Sequence, residues 1–306
     1  MTEQTLDHRN GHFSKTRIAP TPSGYLHLGN VLSFALTAFL AEQTGAKILL
    51  RIDDLDRERA QKPYIRDIFD TLNFMGIPWD DGPRNDDEFE KEWSQVHRLP
   101  LYGDALQRLH DCGDIFACDC SRTQIRNVNA DDVYPGTCRD KNMPLDTPGV
   151  AWRLRTDSNM MLKMKALSGE TTNAHLPPGM KDFIIRKKDG YPAYQLSSVV
   201  DDLHFGIDLI VRGYDLLSST QAQLYLASKL GEGCFERITF YHHKLLETSG
   251  KKLSKSAGDT SVKYLREQGK KPVDVYTLIA EMLGLTTPAT DWKELAQAFF
   301  STYPQY

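Results

Sequence analysis

Two short segments carry the residue types that nucleotide chemistry needs. His27-Leu28-Gly29-Asn30 falls where a proline-rich loop, Pro20-Thr21-Pro22-Ser23-Gly24, meets a run with helical spacing. A helix start there offers a phosphate free backbone N–H groups and the positive end of a helix dipole. Histidine adds a donor, and Gly29 lets backbone approach a nucleotide without a Cβ in the way. Lys252-Leu253-Ser254-Lys255-Ser256 lies between Ser249-Gly250 and Gly258. Two lysines three apart on a glycine-flanked loop can close over a triphosphate and neutralise the pyrophosphate as it leaves. Taken alone, the first segment reads equally as a helix-capping histidine and the second as a Lys/Ser-rich surface loop.

A third cluster is Cys118-Asp119-Cys120 followed by Tyr134-Pro135-Gly136-Thr137-Cys138. Neighbouring thiolates in a reducing compartment suit zinc, which takes four ligands in a tetrahedron. The spacing by itself fits buried free thiols as well. Between Gly250 and Lys271 stand Lys251, Lys252, Lys255, Lys263, Arg266, Lys270 and Lys271 against Asp259 and Glu267. Such a stripe either grips phosphates or forms a solvated helix face.

These residues need a scaffold, and the first fifty residues supply a pattern for one. Thr16-Arg17-Ile18-Ala19 reads as a strand that the two prolines end. VLSFALTAFLAEQTG has helical periodicity and stops on Gly45, a residue suited to a left-handed C-terminal cap. Lys47 to Ile52 is a continuous apolar run, as in a strand buried on both faces. Strand, loop, helix, strand predicts a doubly wound parallel sheet with its site at the carboxyl ends of the strands. Residues 63–76 and 94–113 read as helices. Residues 114–180 break the rhythm with short strands and many turns, as an inserted subdomain does. Strand patterns return at 183–186 and 206–212, LLSSTQAQLYLASKLG reads as a helix, and the chain is helical from about 260.

The expected organisation is a frayed N-terminus at 1–14 and a first catalytic half at 15–113. An insertion at 114–180, a second half carrying the lysine loop at 181–256 and a helical segment at 257–306 follow. The length of 306 residues, 25% charged and 40% hydrophobic, suits a globular protein with a full core. Net charge is −4 and the pI is about 6.1, which excludes a general polyanion binder. No apolar run is long enough to span a bilayer and the first residues do not form a signal peptide, so a cytoplasmic monomer is the expectation. Five cysteines without a signal peptide argue against a disulfide framework.

Taken together, the motifs are specific. HLGN after PTPSG, with KLSKS more than two hundred residues on, resembles the two signatures of class I aminoacyl-tRNA synthetases. The glutamyl/glutaminyl branch is the closer likeness. Arg17-Ile18-Ala19-Pro20-Thr21-Pro22-Ser23-Gly24 is similar to its R-x-A-P-S-P-T-G, and Arg51-Ile52-Asp53-Asp54-Leu55-Asp56 to its R-I-E-D-T-D. Tyr194 to Asp202 is similar to Y-x-L-A-x-V-V-D-D, and Ile210-Val211-Arg212-Gly213 to V-I-R-G. These ordered motifs span most of residues 16–260.

The resemblance implies a Rossmann-like parallel sheet with a zinc-bearing insertion and a short helical C-terminal segment. It implies ATP, Mg²⁺, L-glutamate and tRNA as partners. Glutamate binding falls to Arg17, Ala19, Thr21, Asp53, Tyr194 and Arg212. A guanidinium such as that of Arg17 is a bidentate, charge-matched partner for the substrate's side-chain carboxylate. ATP binding falls to Pro20, His27, Gly29, Asn30, Lys252, Ser254 and Lys255, with His27, Asn30 and Lys255 stabilising the developing charge. Asp53 stands where glutamyl enzymes carry Glu, and Ser198 where they carry Asn. Arg51, Asp54 and Asp56 read as a strand-end ion-pair network.

The short glutamyl-queuosine tRNA(Asp) synthetases of this branch carry C-x-C…Y-x₃-C, and Tyr134 stands four residues before Cys138. That likeness implies zinc held by Cys118, Cys120, Tyr134 and Cys138. With 50 residues after Ser256, no separate anticodon-binding domain is expected, which favours queuosine of tRNA(Asp) as acceptor. Three alternatives stay open at this point: a truncated synthetase charging a tRNA 3′ end, a non-catalytic tRNA-binding regulator, and a ligase with another acceptor.

Overall fold

The alternation of short apolar runs with amphipathic ones produces the expected opening unit. Strand β1 (Lys15–Ile18), helix α1 (Leu28–Thr44) and strand β2 (Lys47–Leu50) follow one another, and β1 pairs with β2 in parallel, Arg17 opposite Leu49. Helix α1 is buried nearly all round, with Leu28, Val31, Leu32, Leu36 and Leu40 joined by Phe34, Ala35, Ala38 and Ala41. Each of the larger side chains contributes roughly 1.5–3 kcal/mol by leaving water. The helix ends on Gly45 at φ 75°, a left-handed conformation that glycine adopts without a Cβ clash. Helix α2 (Lys62–Met75) starts with proline in its first turn and ends on a left-handed Gly76.

The computed structural model describes residues 12–128, 133–248, 251–252 and 261–303. The chain divides into two compact units. The first contains residues 1–97, 207–214 and 240–306, and the second 98–206 and 215–239.

In the first unit, strand Leu209–Gly213 lies beside β1. The Asp208 carboxylate accepts hydrogen bonds from the backbone of Ser14 and Lys15, at 2.7 and 3.0 Å. Strand Thr239–His243 is the neighbour of Leu209–Gly213. The later helices Val262–Glu267, Pro272–Met282 and Trp292–Thr302 belong to this unit. Phe300 stacks on Phe39 of α1 at 5.6 Å between ring centroids, and the Tyr276 hydroxyl donates to the Met75 carbonyl at the end of α2 at 2.6 Å. Helices thus cover the sheet.

The second unit contains the antiparallel strands Ile115–Cys118, Ala151–Leu154 and Ile184–Arg186, and a hairpin of Leu162–Ala166 with Thr171–Ala174. Its helices are Leu99–Asp111, Arg122–Val128, Tyr194–His204 and Leu217–Lys229. The short helix Arg122–Val128 falls where the periodicity shows no helix. Seven residues make too few turns to produce a repeating pattern. Between helices Leu99–Asp111 and Tyr194–His204 sits a buried group in which Arg98 donates to both oxygens of Asp201, at 2.7 and 3.0 Å, and Tyr102 adds a third bond at 2.8 Å. Among the described residues no helix is long and apolar enough to cross a membrane.

Candidate active site and thiol cluster

At the end of β1 the chain turns through Pro20 to Gly24 and enters α1 at His27. The turn is tied to the end of β2: the Arg51 N–H donates to the Ile18 carbonyl and the Asp53 N–H to the Pro20 carbonyl, both at 2.9 Å. Pro20 is buried, and Ala19, Thr21, His27, Gly29 and Asn30 are half-buried. His27 is the residue before the first helical turn, with extended backbone. Its N–H donates to the Asn30 side-chain carbonyl at 3.0 Å, which is one arm of a capping box. The His27 ring packs over Gly29.

The segment that follows the lysine motif meets this turn. Ser261 forms an antiparallel bridge with His27, and the Val262 N–H donates to the Leu26 carbonyl at 2.8 Å. The pairing of Glu247–Thr248 with Lys251–Lys252 carries the chain toward the motif, with Lys252 opposite Glu247. Leu253, Ser254, Lys255 and Ser256 lie outside the described residues.

Two buried arginines stand on adjacent strands of the first unit. Arg17 on β1 donates to the Val211 carbonyl at 3.4 Å, and Arg212 lies over the Phe240 ring at 5.5 Å. At the end of β2, Arg51 grips Asp53 through both carboxylate oxygens, at 2.7 and 3.1 Å, and both residues are buried. Asp54 is consumed internally by the Ser94 hydroxyl at 2.6 Å, the Gln95 N–H at 2.8 Å and Arg57, while Asp56 pairs with Arg59. The run of acids after β2 is therefore an ion-pair network to which Asp53, Asp54 and Asp56 all belong.

Tyr194 belongs to the second unit, where it starts helix Tyr194–His204 and is exposed; Ser198, one turn on, is fully buried.

The basic stripe is partly neutralised. Lys263 pairs with Glu267, and Arg266 with Asp67 at 3.3 Å and Asp70 at 3.6 Å. Lys270 and Lys271 are exposed. The acid that pairs with Lys263 is one helical turn away, whereas the acids that pair with Arg266 lie on α2, far off in the chain.

In the second unit the Cys118, Cys120 and Cys138 sulfurs all lie within 4.8 Å of one another. Cys120 and Cys138 are 3.5 Å apart, and all three cysteines are free of disulfides. A tetrahedron with metal–sulfur bonds of about 2.3 Å places its sulfurs about 3.8 Å apart, so the group has the dimensions to hold a metal. The buried Tyr134 hydroxyl is 3.6 Å from the Cys118 sulfur and accepts from the Cys138 N–H at 2.8 Å. Burial pushes the Cys120 thiol up to about 12, with the neighbouring thiols adding to it, and pushes the Tyr134 phenol up as well. At Cys118 burial is outweighed by the Tyr134 hydroxyl and the Arg153 charge, which hold the thiol below its ordinary value. Arg153 lies 3.7 Å above the Tyr134 ring and is buried. Nothing in the sequence marked it.

A parallel β–α–β unit whose helix N-terminus is met by a distant chain segment is an α/β arrangement. Residues 14–299 match the family of tRNA synthetases class I (E and Q), catalytic domain, so the chain belongs to that family and is a ligase of the class I aminoacyl-tRNA synthetase type. It is 33% identical over 289 residues to a glutamyl-Q tRNA(Asp) synthetase of Rhodobacter capsulatus, covering 86% of this chain and 99% of that one. It is 36% identical over 246 residues to a glutamyl-Q tRNA(Asp) synthetase of Dechloromonas aromatica, covering 78% and 77%. A glutamate–tRNA ligase 2 of Syntrophus aciditrophicus is 32% identical over 93% of this chain and 61% of its own length. The fold matches that of glutamate-tRNA synthetase from Elizabethkingia anophelis with a TM-score of 0.73 at 20% identity, over 93% of this chain and 65% of that one.

Proposed function

We propose that the protein activates L-glutamate with ATP and transfers it to queuosine in the anticodon of tRNA(Asp). An oxygen of the glutamate α-carboxylate attacks the α-phosphorus of ATP. The bond to the bridging oxygen breaks, and pyrophosphate leaves from glutamyl-adenylate. A queuosine hydroxyl then attacks the activated carbonyl, loses its proton, and AMP leaves. No general base is required for the first step, because a carboxylate is already a nucleophile at neutral pH. Catalysis is positioning and charge stabilisation.

In this reading Arg17 pairs with the substrate's side-chain carboxylate, Asp53 holds the α-amino group, and Tyr194 offers a hydroxyl contact. Arg212, Ala19 and Thr21 complete the pocket. Pro20, His27, Gly29, Asn30, Lys252, Ser254 and Lys255 serve ATP, whose phosphates carry Mg²⁺. The observation that carries the activation step is the crossing of Ser261 and Val262 over Leu26 and His27, which brings the chain just beyond the KLSKS motif to the start of α1.

The thiol group supports a structural zinc held by Cys118, Cys120 and Cys138 with Tyr134 as fourth ligand. A bound ion would fix the segments carrying these residues to one another and so staple a part of the chain with few apolar residues of its own.

The choice of queuosine rests on the relatives named for that reaction, which align with this chain over most of both lengths. A second reading, charging of a tRNA 3′ end, rests on the relatives named glutamate–tRNA ligase 2. Radiolabelled glutamate with ATP and tRNA(Asp), with and without queuosine, separates the two. Label that depends on queuosine, and that periodate treatment of the tRNA beforehand abolishes by cleaving the queuosine diol in a species already blocked at its 3′ end, supports the first reading. Equal labelling of both tRNAs, or labelling of a free 3′ end, overturns it.

A further inference from the structure

Helix α2 carries no residue of either signature, yet one of its carboxylates touches the segments next to both. Asp67 is 2% exposed. Its Oδ2 accepts from the Leu26 N–H, one residue before His27, at 3.3 Å, and its Oδ1 faces Arg266 at 3.3 Å, on the helix that follows the lysine motif. The same two segments are joined directly by the Val262-to-Leu26 hydrogen bond and the Ser261–His27 bridge. Lys263 of that helix also lies over the Tyr25 ring at 5.4 Å, and Tyr25 packs edge-on against Tyr64 of α2 at 5.0 Å.

We infer that Asp67 and Arg266 form a latch that holds the helix after the lysine motif against the turn before His27, and so sets the spacing between the two groups that act on the ATP phosphates. Resting on the activation reading, this makes Asp67 and Arg266 positioning residues rather than catalytic ones. Neither is on the strands that carry Arg17 and Arg212, so their loss acts on ATP and leaves glutamate recognition in place. A carboxylate kept buried in partial pairing is costly, and a merely structural contact on α2 would be served as well by an apolar side chain.

The test compares wild type with Asp67→Asn, Arg266→Gln, Arg266→Lys and the double variant Asp67→Asn/Arg266→Gln. ATP affinity is measured by calorimetry without amino acid, and ATP and glutamate KM and kcat by pyrophosphate exchange. Each neutral single variant should weaken ATP binding about tenfold, and the double variant no more than the worse single, as two members of one unit behave. Arg266→Lys, which keeps the charge, should restore most of the loss, and the glutamate KM should stay within about twofold of wild type. Additive losses in the double variant, or ATP and glutamate constants that rise together, overturn the latch. Arg266 is partly exposed, so its two variants carry the test if Asp67→Asn does not fold. A wild-type protein that binds ATP without glutamate-dependent exchange sinks the activation reading, and the ATP affinities still judge the latch.

Discussion

The His27 imidazole lies against Gly29 where a side chain would begin: a Cβ there would stand 3.0 Å from Cε1 and 3.1 Å from Nδ1 of the ring. The glycine therefore leaves the room that the histidine ring occupies. Gly29→Ala should push the ring aside and lower kcat for glutamate-dependent pyrophosphate exchange by about 10- to 100-fold, the cost of a misplaced group near a reacting centre. Glutamate KM should hardly change. An unchanged kcat would mean that the ring position does not matter to the chemistry.

Arg17 is buried and its charge has no water to fall back on. Arg17→Ala should leave the substrate carboxylate without a charge partner, a loss of about 2–5 kcal/mol. Glutamate KM in exchange should rise at least about 30-fold while ATP affinity holds. If ATP affinity falls instead, the arginine serves the nucleotide.

Elemental analysis should give close to one zinc per chain, and Cys138→Ser or exhaustive chelation should lower it together with the thermal stability of the protein. Tyr134 would be the costliest ligand of the proposed set, since burial disfavours its phenolate. Zinc retained in Tyr134→Phe would point to another donor, and the Asp119 Oδ1, 3.1 Å from the Cys138 sulfur, is placed to take over. A fully folded, active preparation without metal would reduce the cluster to packing.

Asp201 neutralises Arg98 where both are buried, and Tyr102 leans on the same oxygen. Asp201→Ala strands a buried guanidinium and should cost about 3–5 kcal/mol in denaturant unfolding. Tyr102→Phe removes one neutral donor and should cost about 1 kcal/mol. Similar small losses in both would show that water reaches Arg98.

With Lys263 and Arg266 committed to acids of the first unit, Lys270 and Lys271 are the better candidates for RNA phosphates. Lys270→Glu with Lys271→Glu should reduce transfer to tRNA while leaving adenylate formation intact. Each lost single-stranded phosphate contact should flatten the log–log salt dependence of tRNA binding by about 0.7. An unchanged slope would place the RNA elsewhere.

Much of this was readable from residue order because it is local. The helix from Leu28 to Thr44, its stop at Gly45 and the parallel partner from Lys47 all follow from periods and caps that a few neighbouring residues encode. The pairing of Arg51 with Asp53 lay within one motif. The contacts that give the site its shape are of another kind. Asp67 showed only as a charge on the buried side of α2, beside Ile68 and Thr71, with no sign that Leu26 and Arg266 would be its partners. Arg153 above Tyr134 was equally silent. Long-range side-chain pairs leave no period in a sequence, and two units assembled from interleaved segments hide where each one closes.

The contact between Asp67 and Arg266 spans 199 residues of chain. A ribosome adds about 5–20 residues each second, so α2 emerges about 10–40 s before its arginine does. Through that interval the Asp67 carboxylate has the Leu26 N–H for a partner but not yet the Arg266 guanidinium. The two segments beside the proposed nucleotide site thus meet late in biosynthesis, and a nascent chain stalled before residue 262 would hold β1, α1, β2 and α2 without the hydrogen bond that joins Val262 to Leu26.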